Sequence, residues 1–294
     1  MSGFGGPIKH VPGPWKLKGD AHVFFTYSND SDVNSLSKSF LYEPLEATSE
    51  FSEGRFVGGL AAAYIIRYHE SPVGPYDELI IIPGSFESER NVVGKIVKER
   101  KLRITRIYVS TKATCYNGRK SMSFSRSRRH VTYTPVDWNI PKHLARFEFE
   151  TLENGQESVT VFPEGSASKT PLFKTVFKPV AYGPVIPAST NIAKYIGLDL
   201  THIQPPLSQG ETKELVGTDE WCSFLPVVSS SRTSLEWWDL KQSTTENDPL
   251  LGSTASDGDF EVVENWWPGS SRWKIGVKME NADIDFPVGE HWRA

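Results

Sequence analysis

Two stretches of this 294-residue chain set proton-moving and charge-bearing side chains beside strongly apolar runs. The first, Gly74-Pro75-Tyr76-Asp77-Glu78-Leu79-Ile80-Ile81-Ile82-Pro83-Gly84, puts the Glu78 carboxylate directly ahead of four aliphatic residues. The second, Ile104-Thr105-Arg106-Ile107-Tyr108-Val109-Ser110, runs on to Tyr116-Asn117-Gly118-Arg119. A carboxylate held within hydrogen-bond reach of a substrate can give or take a proton; otherwise Glu78 is a strand-start residue facing water. Arg119 stays protonated and offers a planar fork of donors, which suits a carboxylate or an enolate but cannot form an imine. Beside Asn117-Gly118 it equally fits a hairpin turn that points to solvent. Tyr76 and Tyr116 supply either hydroxyl donors or aromatic packing.

Together these stretches resemble the active-site half of the acetoacetate decarboxylase superfamily. In that family a glutamate after a Gly-x-Tyr-x-Glu turn faces a lysine that forms a Schiff base with a β-keto acid, and a cationic neighbour lowers the lysine pKa. The resemblance implies that Glu78 is the family glutamate, in a cone-shaped apolar cavity that raises its pKa enough for acid or base work. Aligning Val109 to Arg119 with the family segment that ends in Pro-Lys-Lys puts the Schiff-base lysine on Gly118 and its cationic neighbour on Arg119. Both positions are then expected to line the cavity, with Arg119 acting through electrostatics. Lys142, in Trp138-Asn139-Ile140-Pro141-Lys142, matches a family lysine that lies near the site without forming the imine.

The resemblance spans Gly13 to Phe149, and three catalytic positions depart from it. Gly118 replaces the nucleophile, Asp20 stands where the family arginine follows the Gly13-Pro14-Trp15-Lys16 element, and Ala61, Ala62 and Ala63 stand where a second glutamate is expected. Acetoacetate decarboxylation through an imine is therefore not expected, and borohydride should trap no adduct. What the resemblance implies instead is a fungal-type member, judged from the look of Trp138 to Phe147. Its expected function is that of a cofactor-free enzyme of secondary metabolism on a β-keto or polyketide-like substrate. Enolisation, dehydration, cyclisation and decarboxylation all fit. Glu78 would move the proton and Arg119, with Lys142, would stabilise the oxyanion; Tyr76, Tyr116, Asn117, Trp138 and Lys142 would bind the substrate. The alternative is a non-catalytic barrel that keeps the cavity and holds a small molecule.

Short β-rich runs must position these groups: Val23 to Tyr27, Leu79 to Ile82, Ile104 to Ser110, Arg146 to Glu150, Val159 to Phe162 and Phe173 to Phe177. Apolar and polar residues alternate in several, with Gly and Pro between them, which predicts a mainly β chain; with the resemblance, the expectation is a conical antiparallel barrel with few helices. Helices are predicted over Asp32 to Phe40, ahead of a turn at Tyr42-Glu43-Pro44-Leu45, and over Pro141 to Ala145, where proline suits the first helical position. We read residues 1–294 as one domain with two anomalies. Residues 120–137 are basic and Ser-rich and break the family spacing; a lid loop, a phosphorylatable or anion-binding loop and a translated intron all account for them. Residues 242–259 are rich in Ser, Thr, Gly, Asp and Asn, the composition of a flexible loop. Tryptophans on either side suggest a carboxyl-terminal elaboration that packs back on the barrel.

Thirty-two basic against thirty-six acidic residues give a net charge of −4. Without a basic field, nucleic acid and anionic membrane are not expected partners; a small-molecule substrate is, and a homo-oligomer is left open. The two cysteines, Cys115 and Cys222, exclude a disulfide framework and a four-cysteine zinc site, and point to the cytoplasm. No apolar run is long enough to span a bilayer, and the seven histidines lack metal-ligand spacing.

Overall fold

A computed structural model describes residues 7–29, 41–92, 94–120, 126–127, 130–131, 138–165, 171–243, 262–264 and 273–293. The chain begins with β1 (Trp15–Ser28), the one-turn helix α1 (Pro44–Ala47) and the strands β2 (Arg55–Glu70), β3 (Tyr76–Ile82), β4 (Ser85–Val92), β5 (Lys95–Leu102) and β6 (Arg106–Val109). Helix α2 (Lys112–Arg119) follows, then the short antiparallel pair β7 (Arg126–Ser127) and β8 (His130–Val131), and the strands β9 (Lys142–Thr151), β10 (Glu157–Pro163), β11 (Phe173–Pro179) and β12 (Ile186–Ser189). After a 3-10 helix at Thr190–Ile196 come β13 (His202–Gln204), β14 (Trp221–Phe224), β15 (Val227–Asp239), the pair β16 (Lys241–Ser243) and β17 (Val262–Glu264), β18 (Trp273–Phe286) and β19 (Glu290–Trp292).

Among the described residues nine strands close a ring in the order β1-β18-β15-β11-β10-β9-β6-β3-β2, with β2 returning to β1. Side chains alternate faces along a strand, so a closed ring has an inner and an outer set. Phe24, Ala63, Ile65, Leu79, Ile81, Tyr108, Ala145, Val159, Val161, Phe173, Phe177 and Trp238 form one buried cluster contributed by eight of these strands, which makes it the barrel interior. The opposite parity, including Ala62, Ile66, Tyr68, Tyr76, Ile80, Ile82, Ile107 and Val109, faces outward. It is buried nonetheless, packed with Leu102 of β5 and with Cys222 and Phe224 of β14. That second layer is the sheet's own continuation, β2-β4-β5-β13-β14-β19.

The sheet can fold over itself because β2 changes partners at Gly58-Gly59. Both have positive φ, 72° and 102°, and a Cβ on Gly84 (φ 149°) would lie 2.9 Å from the Gly58 carbonyl oxygen. Only residues without a side chain allow that close approach in this backbone region. Two apolar layers thus bury both faces of β2 and β3. Each fully buried Ile or Phe contributes about 1.5–3 kcal/mol.

Five of the strand expectations fall inside β1, β3, β9, β10 and β11, and the sixth, Ile104 to Ser110, is strand only over Arg106–Val109 in β6. Leu79 and Tyr108 are directly opposed in the β3–β6 ladder, so the two sequence stretches share one sheet. The helix expected over Pro141 to Ala145 is corrected: Lys142 onward is strand β9, pairing in parallel with β6 through Ile107↔Lys142 and Val109↔Leu144. A parallel ladder buries Lys142 and Ala145 on opposite faces, which a single helical turn could not do, and tertiary pairing overrides the local preference. The Asn117-Gly118 pair is not a hairpin turn but lies in α2, which is capped at Thr111. The turn at Tyr42–Leu45 leads into α1, with proline in its first turn. The expected helix 32–40 lies outside the described residues, as do most of 120–137 and of 242–259. Of the tryptophans, Trp238 is in the barrel interior, Trp221 and Trp292 stack at 6.2 Å, and Trp237 is exposed.

Candidate functional site

Position on β3 decides what Glu78 meets. It alternates with Tyr76 and Ile80 on the outer, covered face of the barrel wall, opposite Val109 on β6 and Ile66 on β2. Its carboxylate is 1% exposed and engaged at both oxygens. The Lys142 ammonium donates to Oε2 at 2.6 Å, and the Tyr68 hydroxyl donates to Oε1 at 2.9 Å. Lys142 Nζ also donates to Thr114 Oγ1 at 3.0 Å and lies 5.2 Å from the Tyr76 ring centroid.

Helix α2 builds the other wall. Thr111 caps it, its hydroxyl accepting from the Thr114 amide. Thr114 and Gly118, four residues apart, share the helix face turned to Lys142. A Cβ at Gly118 would lie 2.6 Å from both Cδ and Cε of Lys142, so the absence of a side chain at 118 is what admits the lysine stem. The Tyr68 and Tyr76 rings pack with a 30° tilt, their centroids 4.3 Å apart. Burial first, and then the Glu78 charge, pushes both hydroxyls well above the ordinary tyrosine value, so they remain protonated donors.

Next to this cluster an apolar cavity of ≈ 50 Å³ runs between the barrel wall and the second layer, and Tyr68, Ile66, Ile80, Ile104 and His202 are in its lining. The Tyr68 side chain therefore connects the cavity to the Glu78–Lys142 pair. A carboxylate, an ammonium and hydroxyl donors in a water-poor site can transfer a proton and stabilise a developing oxyanion.

Arg119 is placed elsewhere. Its guanidinium is fully buried and committed: to Glu46 Oε1 at 3.0 Å, and to the carbonyl oxygens of Val216, Lys142 and Ser208 at 3.2, 3.2 and 3.0 Å. His143 Nε2 meets the other Glu46 oxygen at 2.7 Å. Burial acts to raise the Glu46 pKa, but the His143 hydrogen bond and charge and the Arg119 charge outweigh it, and the carboxyl sits below its ordinary value. Lys142 and His143, neighbours in sequence, thus serve different clusters because β9 turns them to opposite faces.

Of the seven site residues expected from sequence, Glu78, Lys142 and Tyr76 come together. Asn117 instead ties down the amino-terminal segment, accepting from the Val11 amide and donating to the Lys9 carbonyl oxygen. Tyr116 pairs with Lys120, and Trp138 is core, edge-on to Trp15 and Phe286 and donating to the Pro287 carbonyl oxygen. Tyr68, Thr114 and His202 were not anticipated. Tyr68 carries a signal only in hindsight, through its register opposite Tyr76. Among the described residues no group of three or more His, Cys, Asp or Glu is arranged to hold a metal, and no helix is long and apolar enough to cross a membrane.

No protein-family model matches the chain, and no curated protein matches it. Among solved structures it is similar to one described as "Enduracididine biosynthesis enzyme MppR complexed with the condensation product of pyruvate and imidazole 4-carboxaldehyde". The identity is 12% and the TM-score 0.48, over 99% of this chain and 98% of that one.

Proposed function

We propose that this chain is an acetoacetate decarboxylase-like, cofactor-free enzyme that moves a proton at the carbon beside a carbonyl in a small β-keto or polyketide-like substrate. Glu78 is the base, Lys142 holds the enolate oxygen, and the Tyr68 hydroxyl orients the carboxylate. Arg119 positions Lys142 and α2 rather than touching the substrate. The observation that carries this reading is the buried 2.6 Å contact of Lys142 Nζ with Glu78 Oε2, beside an apolar cavity. Incoming substrate would separate the pair: the carbonyl oxygen takes the ammonium as partner, leaving the carboxylate to accept the α-proton. The resulting enolate then reprotonates, loses water or closes a ring, according to the substrate.

The test is proton exchange. Simple ketones and β-keto esters incubated with the protein in D₂O should gain deuterium at the α-carbon, read by NMR, and Glu78→Gln should lose this. No enzyme-dependent exchange with a broad ketone panel favours the binding barrel instead, in which the ion pair is structural.

The fit between Gly118 and Lys142 favours a second reading. The lysine stem occupies the volume that a side chain at 118 would need, so an amine from β9 reaches the space that the helix vacates. Here the ammonium gives a proton to Glu78, the free amine attacks the ketone carbon, and water leaves as the imine forms. Borohydride reduction followed by peptide mass spectrometry separates the readings: a stoichiometric adduct on Lys142 selects the imine, and its absence with exchange intact selects the enolate.

A further inference from the structure

His202 is an anomaly within the apolar cavity. It is 5% exposed and lies in the cavity wall on β13; neither ring nitrogen makes a hydrogen bond of full geometry, and the Leu200 backbone carbonyl oxygen is a weak partner for a ring N–H. Its ring stacks on Phe224 at 5.5 Å and 9°, and β13 is held on both sides, by Leu102 of β5 and by β14. The imidazole is thus fixed in direction. Burial brings its pKa down to about 4, against smaller upward influences of the Leu200 backbone and the Asp199 charge, so the ring is neutral at physiological pH. A neutral imidazole carries one N–H donor and one bare nitrogen acceptor, and a buried polar group left unpaired weakens a fold. Such a group is retained at a cost unless something pairs with it.

The cavity also adjoins a groove on the outside of the molecule. Thr190, Leu200 and Pro226 line both it and an outer groove of ≈ 240 Å³ bounded by the 3-10 helix at Thr190–Ile196, with Lys194 and Asp199 on the rim. Groove and cavity thus form an apolar track along their shared wall, with His202 and Tyr68 both in the cavity lining.

We infer that this track binds a carbonyl compound whose apolar body carries a hydroxyl group, and that His202 recognises that hydroxyl. With the Leu200 carbonyl oxygen beside the ring N–H, the bare ring nitrogen is the group left to accept from a ligand hydroxyl, while aliphatic walls formed by Ile66, Ile80, Ile104 and Ile284 exclude charge. His202 is then a specificity residue. The carbonyl end of this assignment rests on the Glu78–Lys142 reading; the hydroxyl end does not.

A matched pair tests it: 4-phenylbutan-2-one and its para-hydroxy derivative, titrated calorimetrically into the full-length protein. The hydroxylated ketone should bind at least tenfold more tightly, and the ring nitrogens of His202 should shift in labelled-histidine NMR spectra with that compound alone. His202→Phe should bind both ketones alike and melt at a higher temperature, because an unpaired polar group has been removed. His202→Gln, which keeps a donor and an acceptor, should retain part of the preference and covers the case in which the Phe variant does not fold. Equal affinities in the parent, a preference that survives His202→Phe, or no ring shift would each overturn the assignment. A preference intact in a protein that exchanges no α-proton would remove the proposed function while leaving this site standing.

Discussion

Lys142 and Gly118 are complementary: the lysine stem passes where a Cβ at 118 would sit, 2.6 Å from two of its methylene carbons, and is anchored beyond that point by Glu78 and Thr114. Because the stem is pinned at its tip, it cannot swing aside at low cost. Gly118→Ala would gain about 1 kcal/mol in helix propensity but incur about 1–3 kcal/mol of overpacking. The net expectation is destabilisation in urea unfolding, and Gly118→Ala in a Lys142→Ala background should instead be stabilising. A stabilised single variant would show that the stem is free to move.

Removing one partner of the Glu78–Lys142 pair leaves a buried charge with too few partners. Lys142→Met or Glu78→Leu alone should destabilise the protein by about 3–5 kcal/mol. The double variant should cost less than the sum, by a coupling of about 1–3 kcal/mol in a double-mutant cycle. Additive costs would place the two charges in independent environments.

Glu78→Gln keeps the shape of the side chain while abolishing its basicity. We expect α-proton exchange to fall by about 10²–10⁴-fold while ketone binding changes little, since KM-type contacts are made by the cavity. Loss of binding with no separate loss of turnover would assign Glu78 to the architecture.

Arg119→Lys replaces a fork that bonds four acceptors by a single point charge. The expected result is a lower unfolding midpoint with ligand affinity affected only through folding. The neighbouring Glu46 sets a pH dependence. Its folded pKa lies below the unfolded value of about 4.5, so its contribution is fully present above that value and is lost as pH falls through the folded pKa. Glu46→Gln should therefore reduce stability near neutrality and flatten its decline below pH 4.5, measured by urea unfolding across pH.

Both cysteines are buried, and burial pushes the Cys115 thiol up to about 12. Neither should react with a maleimide at pH 7 in the folded state, and both should label in denaturant. Fast labelling of the native protein would mean that the second layer opens.

The strands were legible because apolar alternation is local, and Glu78 was legible because a Gly-x-Tyr-x-Glu turn precedes an unbroken aliphatic run. Pro141 to Ala145 misled, since a proline followed by Lys-His-Leu-Ala reads as a helix start until β6 supplies a parallel partner. Asn117-Gly118 misled for a related reason: its turn chemistry is overruled by the Thr111 cap and the packing of α2. Arg119, Tyr116, Asn117 and Trp138 have the right chemical types for a site, yet type does not fix direction.

By itself, then, the sequence determined the β-rich composition of the chain, the run that carries Glu78, and the absence of an amine at 118. The tertiary structure decided which groups meet. Strand β9 lies 64 residues from Glu78 in sequence, and only the β3–β6–β9 ladder brings Lys142 against it, while the alternation of the same strand sends His143 to Glu46. Pairings of this kind depend on register across non-local hydrogen bonds, and a one-residue slip would exchange the two faces.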